Sequence, residues 1–388
     1  MARLGNYIEQ IRGVSYKPED VCASTNVDAV AILRANNIQD DGLIFDDLVY
    51  VKKDKVSAKQ YIQKGDIVVC ASSGSKNLVG KAAIVNEDME ISFGAFCKVI
   101  RPKKLMPSYI GHYFQSPKYR NKISELAGGA NINNIRNEHI DDLDIVVPNT
   151  DEQERISIEL NKVGDLISLR KQQLSKLDEL VKSRFIELFG DSVTNSMGWD
   201  TDTVIGVCDD IYGGGTPSKS HPEYYENGDI PWVSSKDMKT AVLYDSQIKI
   251  NQLGVDNSTA KMVPVNSVIM VIRSGILKHT LPVAINAVPI TVNQDLKVFI
   301  PSKRILSTFL MYQFKMLEKD ILSGVRAVTA DNIEFDSLKK REIIVPPIEL
   351  QNQFAAFVEQ TDKLKFEIQK SLEKLETLKK SLMQKYFG

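Results

Sequence analysis

The sequence predicts an α+β protein: two repeated modules of mixed α/β structure, each followed by a long helix, the two helices pairing as an antiparallel coiled coil. The first reason is a duplication. From Leu143 to Gly190, and again from Arg341 to Gly388, the chain runs strand, proline, glutamine, heptad-patterned segment and Phe-Gly. Ile145, Val147, Pro148, Gln153, Leu174, Leu177, Phe189 and Gly190 recur at one fixed offset as Ile343, Val345, Pro346, Gln351, Leu372, Leu375, Phe387 and Gly388. The second reason lies upstream, where the copies continue with small shifts. Ile67-Val68-Val69 with Ser73-Gly74 answers Val268-Ile269-Met270 with Ser274-Gly275, Lys98-Val99 answers Lys297-Val298, and Asn134-Ile135 answers Asn332-Ile333. A unit written twice predicts a pseudo-two-fold molecule suited to a two-part partner. The implied boundaries are modules at 1–147 and 191–345 and helices at 148–190 and 346–388.

In the first module, Ala29–Leu33, Leu48–Val51, Ile67–Ala71, Ala82–Val85 and Phe96–Ile100 read as strands, because β-branched and aromatic residues sit between Gly, Asn, Asp and Lys punctuation. Tyr109–Tyr119 has the apolar spacing of a helix, and Leu143–Val147 is a last strand ended by Pro148. The second module repeats the order, from Asp229-Ile230-Pro231-Trp232-Val233 through a helix at Phe309–Phe314 to a strand at Ile343–Val345. A mainly antiparallel or mixed sheet follows for each.

The long segments are the third reason. Ile156, Leu160, Val163, Ile167, Leu174, Leu177, Val181 and Leu188 fall on a 3-4 spacing interrupted by Arg170 and Arg184, and Leu364, Ile368, Leu372, Leu375, Leu378 and Leu382 form the stripe of the second copy. Neither has an interior proline, so each is expected to run about 35 to 38 residues, roughly 50 to 57 Å. One apolar stripe on so long a helix needs a partner, and its own repeat is the nearest one. Such a pair forms a spacer longer than the roughly 34 Å of one DNA turn.

Composition excludes several classes. The 388 residues carry a formal net charge of −1, so no global field argues for nucleic acid or membrane. Cys22, Cys70, Cys97 and Cys208 form no C-x-x-C pair, which disfavours a zinc site or a disulfide framework and suits buried thiols in a cytoplasmic protein. No apolar leader opens the chain and no run approaches a bilayer span. The Gly213-Gly214-Gly215 loop lacks the G-K-[ST] of a phosphate-binding loop, and no Asp/Asn-Pro-Pro-aromatic motif occurs to hold a target amine. Asp295-Leu296-Lys297 imitates the end of a nuclease site, but its counterpart Phe96-Cys97-Lys98 has no acid. The four histidines, His112, His139, His221 and His279, have no ligand spacing, so no metal is expected.

Ile211-x-Gly213-Gly214-Gly215-Thr216-Pro217-Ser218, followed by Tyr224-Tyr225 and Gly228-Asp229-Ile230-Pro231-Trp232-Val233, resembles the opening of a target recognition domain from the specificity (S) subunit of type I restriction-modification systems. Val147-Pro148 with Gln153, and Val345-Pro346-Pro347 with Gln351, are similar to that family's spacer regions. The first module departs from the glycine motif, with Ile11-Arg12-Gly13-Val14-Ser15 in its place. The resemblance implies a non-catalytic reader of double-stranded DNA: each domain binds one half of a bipartite target, and the helices set the gap and recruit two modification (M) subunits. Those subunits would carry S-adenosylmethionine; restriction (R) subunits would bring ATP and Mg. This chain would hold no cofactor. Exposed helix faces could pair two S chains when M is absent. The competing functions are a protein scaffold that never touches DNA and a nuclease.

A reader needs phosphate clamps and side chains able to make paired hydrogen bonds with base edges. Corresponding loops supply them. Ser72, Ser73, Ser75, Lys76 and Asn77 face Arg273, Ser274, Lys278 and His279 as the main specificity candidates. A second pair contains Asn131 and Asn133 against Arg326 and Thr329; a third sets Arg34, Asn36 and Asn37 against Ser234, Ser235 and Lys236. The glycine loop adds Gly214, Gly215, Thr216, Ser218 and Lys219. For each, the competing reading is a turn or cap that satisfies its own backbone. Lys98, Arg101, Lys103 and Lys104 form a basic run that is either a solvated face or a phosphate contact.

Overall fold

The computed structural model describes the chain except residues 41, 129–132, 325 and 328–330, with backbone alone at Arg326 and Ala327. It divides into two compact units, Met1–Leu174 with Glu367–Gly388, and Ser175–Phe366. The division falls inside both long helices rather than at the expected boundaries near 147 and 345.

Among the described residues, the first unit has a four-stranded antiparallel sheet in the order Ile8–Arg12, Cys97–Pro102, Ile67–Cys70, Ala82–Ile84. Beside it, Ala29–Leu33 pairs in parallel with Ile91–Phe93 and antiparallel with Val49–Lys52. The second unit repeats both sheets. Cys208–Gly213, Leu296–Pro301, Val268–Val271 and Val283–Asn286 keep the order, and Val242–Leu243 adds a parallel fifth strand. Ile230–Val233 again takes one parallel partner, Thr291–Val292, and one antiparallel partner, Lys249–Ile250. The near-continuous Val/Ile runs of Ile67–Cys70 and Val268–Val271 are fully buried because each is a central strand covered on both faces.

Two local expectations are corrected. The segment Tyr109–Tyr119 is not one helix but two, Pro107–Gln115 and Pro117–Leu126. Ser116 is extended and its hydroxyl accepts from Tyr119 N at 3.3 Å, because Pro117 forbids a continuous helix and prefers the first turn of a new one. The last strand of the first module shrinks to Asp144–Ile145, which pairs with Ala2–Arg3. Glu342–Ile344 pairs in the same way with Thr201–Thr203.

Each long helix has 40 residues, Thr150–Phe189 and Ile348–Phe387, a little longer than expected. The repeated glutamine explains their fixed starts. Gln153 is buried, accepts from Met106 N at 2.9 Å and donates to Pro148 O at 2.8 Å; Gln351 accepts from Leu306 N at 2.8 Å and donates to Pro346 O at 2.8 Å. The helix ends explain the repeated Phe-Gly. Phe387 lies 5.2 Å from Tyr109 in the core of the first unit, which also takes Ile156, Leu160 and Met383. Phe189 lies 4.8 Å from Phe309 in the core of the second unit, which also takes Phe185 and Phe354. Each unit is therefore completed by the start of its own helix and the end of the other.

Within each unit the helical segments run antiparallel. In the first, Arg155 lies over the Tyr386 ring and Glu159 accepts from the Tyr386 hydroxyl. In the second, Asp178 pairs with Lys365 at 2.6 Å, Arg184 covers Phe357, and Phe185 meets Phe354 at 5.3 Å, so one number rises as the other falls. The expected stripe is right for Leu372 and Leu382 and wrong for Leu364 and Leu378, which are 58% and 46% exposed. A straight helix drifts from a strict seven-residue repeat. The seam position falls on Lys365, which is 21% exposed and pairs with Asp178, and leaves Leu364 outside.

Candidate nucleic-acid interface

The loops predicted as separate pairs form one platform in each unit. In the first, Ala71 N and Ser72 N both donate to Phe96 O, at 2.8 and 3.0 Å, Ile135 N donates to Ala71 O at 2.8 Å, and Ser72–Ser73 pairs with Asn133–Asn134. In the second, Ile272 N and Arg273 N donate to Asp295 O, at 2.9 and 3.3 Å, Ile333 N donates to Ile272 O at 2.9 Å, and Arg273 bridges to Asn332. The bonds coincide while the side chains differ: Ser72 and Phe96 stand where Arg273 and Asp295 stand.

Around the first platform, Ser75, Lys76 and Asn77 are exposed. Ser73 Oγ accepts from Ser75 N at 3.1 Å, so that hydroxyl shapes the turn. Asn133 Nδ2 approaches Ser73 O at 3.5 Å. Arg120, which the sequence reading missed, pins this loop by donating to Asn77 O and Val79 O, each at 2.8 Å. Around the second, Ser274 caps the short Gly275–Lys278 helix, Lys278 reaches Asp331 at 3.8 Å, and His279 is exposed. Here Glu318 pins the loop, accepting from Leu281 N at 2.9 Å. Arg326 pairs through its backbone with Asn332. Asn131 and Thr329 lie outside the described residues.

The third pair is placed and partly corrected. Arg34 N donates to Asn37 Oδ1 at 2.8 Å, as Ser234 N donates to Asp237 Oδ2 at 2.9 Å, so Asn37 answers Asp237 rather than Lys236. Asn37 is fully buried and its amide donates to Asp46 O at 2.8 Å; it builds the turn and has no face left for a ligand. Arg34 is held by Asp47 at 2.6 Å, and Asn36 is exposed. With Ser72, Tyr16 and Phe96 these two line a cleft of about 620 Å³. In the second unit the Ser234 hydroxyl is bound to Asp237 at 2.8 Å, Ser235 is half-buried and Lys236 exposed.

The glycine motif serves packing. A Cβ on Gly214 would lie 2.1 Å from Val292 O, and one on Gly215 would lie 2.2 Å from the Thr259 carbonyl carbon. Trp232 Nε1 donates to Gly215 O at 3.0 Å, which links the glycines to the Ile-Pro-Trp strand that follows them in sequence. Gly13 plays the part of Gly214 in the first unit, its Cβ position 2.1 Å from Gly94 O. Gly214 and Gly215 are thus placed by backbone crowding and not by an open loop. Thr216 bonds to Gln294, and Ser218 and Lys219 are exposed, with Ser218 Oγ 2.7 Å from Ser220 Oγ.

Most of the basic run is engaged within the first unit. Arg101 forms a two-point pair with Asp66, 2.8 Å at each contact, Lys103 reaches Glu9 at 3.6 Å, and Lys98 bonds to Gln10 at 3.1 Å and to Asn137. Burial pulls the Lys98 ammonium below its ordinary range. Lys104 is exposed. The nuclease-like triplet has other neighbours: Asp295 holds Arg273, and the Lys297 ammonium sits 4.4 Å over the Phe335 ring. Among the described residues no group of three or more His, Cys, Asp or Glu could hold a metal ion, and no helix is long and apolar enough to cross a membrane. Cys70 and Cys97 are buried cross-strand neighbours, the Cys97 thiol pushed up to about 12 by burial; Cys22 and Cys208 are half-buried.

Comparison with known proteins finds the same duplication. The family model for the type I restriction modification DNA specificity domain matches residues 8–179 and 197–380. The chain is 29% identical over 406 residues to the type I restriction enzyme StySPI specificity subunit of Salmonella potsdam, covering 97% of this chain and 86% of that protein. It is 40% identical over 188 residues to the EcoKI specificity subunit of Escherichia coli K12, covering 48% of this chain and 40% of that one. Among solved structures, the S subunit of a type I restriction-modification system from M. genitalium superposes with a TM-score of 0.59 at 15% identity, over 100% of this chain and 95% of that one. A chain from a structure describing complex assembly and conformational transition of the type I R-M system gives 0.53 at 17% identity, over 100% and 99%. At such identities the structural likeness speaks for the fold alone.

Proposed function

The chain belongs to the type I restriction modification DNA specificity family, and from that premise we propose that it reads a bipartite duplex target, one half-site per unit. The observation that carries this reading is the doubled platform, with the same backbone bonds holding different outward side chains at Ser72 and Phe96 and at Arg273 and Asp295. A reader of two unlike half-sites needs such an arrangement: a common frame to set register, and unlike groups to reach unlike base edges.

The two long helices set the gap between half-sites. At 40 residues each spans about 60 Å, well beyond the roughly 34 Å of one duplex turn. Their outer faces carry Leu166, Leu169, Leu180, Leu364 and Phe366 exposed, which suits docking of two M subunits. This chain positions the complex; the M subunits bring S-adenosylmethionine and methylate adenine, and R subunits bring ATP and Mg for translocation and cleavage. The test is a genome-wide map of methylated adenines in cells with and without this gene. A two-part motif with a fixed gap is expected to vanish with the gene; a methylome that does not change would contradict the reading.

A further inference from the structure

We propose that Asp295 is a positioning residue that turns Arg273 into a reader of one guanine in the half-site of the second unit, an inference that rests on the DNA-reading function above. The guanidinium has two hydrogen-bonding edges. Its Nε–Nη2 edge is occupied: Nε donates to Asp295 Oδ1 at 2.7 Å and Nη2 approaches the same oxygen at 2.6 Å. The remaining edge, Nη1 with the second hydrogen of Nη2, offers two parallel N–H groups, and the Arg273 side chain is about half exposed. That fork fits the O6 and N7 acceptors that guanine presents in the major groove.

The carboxylate is itself fixed. Asn293 Nδ2 donates to Asp295 Oδ2 at 3.1 Å, Asp295 N donates back to Asn293 Oδ1 at 3.1 Å, and the Asp295 carbonyl receives Ile272 N and Arg273 N. Arginine and aspartate therefore rise from one backbone junction as a single rigid group. Its charge argues for a base over a phosphate. A neighbouring carboxylate cancels much of the field that draws a guanidinium to an anion and repels the phosphate directly, whereas guanine O6 and N7 are neutral acceptors. A pre-oriented fork also loses less freedom on binding than a free arginine.

The experiment selects bound sequences from a randomised duplex library with the full chain and its M subunits, comparing the wild type with Arg273→Ala, Arg273→Lys and Asp295→Ala. For the wild type, one guanine position is expected in one half-site. Arg273→Ala and Arg273→Lys should relax discrimination at that position by roughly tenfold to a hundredfold and leave the other half-site intact. Asp295→Ala should relax the same position and steepen the salt dependence, because the released guanidinium gains phosphate contacts. Uniform weakening of every sequence by Arg273→Ala, with a shallower salt slope, would make Arg273 a phosphate clamp and overturn the proposal. So would base preferences unaltered by Asp295→Ala. Failure of the wild type to enrich any bipartite sequence overturns the broader function along with it; enrichment without a change in the variants overturns this proposal alone.

Discussion

The two units share a skeleton and differ in what they place on it. At the platform the first unit presents Ser72 beside Phe96, which is 68% exposed, and the second presents a neutralised Arg273–Asp295 pair. At the opposite end of the central strand, Asp66 and Arg101 form an ion pair in the first unit, while in the second Ser267, the structural counterpart of Asp66, donates to Pro264 O at 2.8 Å. On the helix after the sheet, His112 of the first unit stands where Tyr312 stands in the second. The backbone pairing that sets register is common to both, and the groups that distinguish chemistry are not. A duplicated protein can diverge in specificity in this way without relearning how to fold.

The largest effects test how each unit is closed. Phe387→Ala should cost about 3 to 5 kcal/mol and loosen the first unit, and Phe189→Ala should do the same to the second, because each ring fills the core at the far end of its helix. Hydrogen exchange resolves which unit loses protection; Phe387→Ala loosening the second unit would break the comparison. Next, Arg101→Ala strands the carboxylate of Asp66, whose side chain is 1% exposed, and should cost about 3 kcal/mol, whereas Ser267→Ala should cost about 1 kcal/mol. Equal costs by chemical denaturation would deny the difference.

Acid should separate the units as well. Burial pulls His112 down to about 4 from 6.5, helped by the Lys379 charge and opposed by the hydrogen bond the ring makes to Asn161 Oδ1 at 2.8 Å. The unfolded chain then takes up the proton first. Stability from this group is whole above about pH 6.5 and is lost as pH falls toward 4, by about 3 kcal/mol in all. Exchange in the first unit should rise across that window, and His112→Gln should remove the rise. The smallest effect on folding belongs to Phe96→Ala, within about 0.5 kcal/mol because the ring is exposed, with weaker binding at the first half-site alone. A stability loss of several kcal/mol would make that ring structural.

The sequence carried the architecture because duplication marks it twice. Gln153 and Gln351, Phe189 and Phe387, and Asn134 and Asn332 recur in sequence and do equivalent work in space. The polar loops were legible as corresponding segments after buried strands, Ser72 to Asn77 after Ile67–Cys70 and Arg273 to His279 after Val268–Val271. Their joining into one platform was not, because it depends on hydrogen bonds between segments some sixty residues apart, such as Ile135 to Ala71. In sequence Phe96 reads as the start of a strand and Asp295 as part of a nuclease-like triplet. The alignment sets Phe96 opposite Asp295, but neither the exposure of that ring nor the pairing of Asp295 with Arg273 shows in the sequence. Asn37 shows that polarity does not fix exposure: it is fully buried and, like Asp237, accepts from the backbone N–H three residues before it to cap a turn.

The most direct measurement of the shared-frame idea moves the second unit's chemistry onto the first. Ser72→Arg with Phe96→Asp, in the full chain with its M subunits, places the Arg273–Asp295 pair on the equivalent junction. Sequences selected from a randomised duplex library should gain one guanine in the first half-site and keep the second half-site as in the wild type. A folded variant that alters both halves, or neither, would contradict two interchangeable platforms reading separate halves of one target.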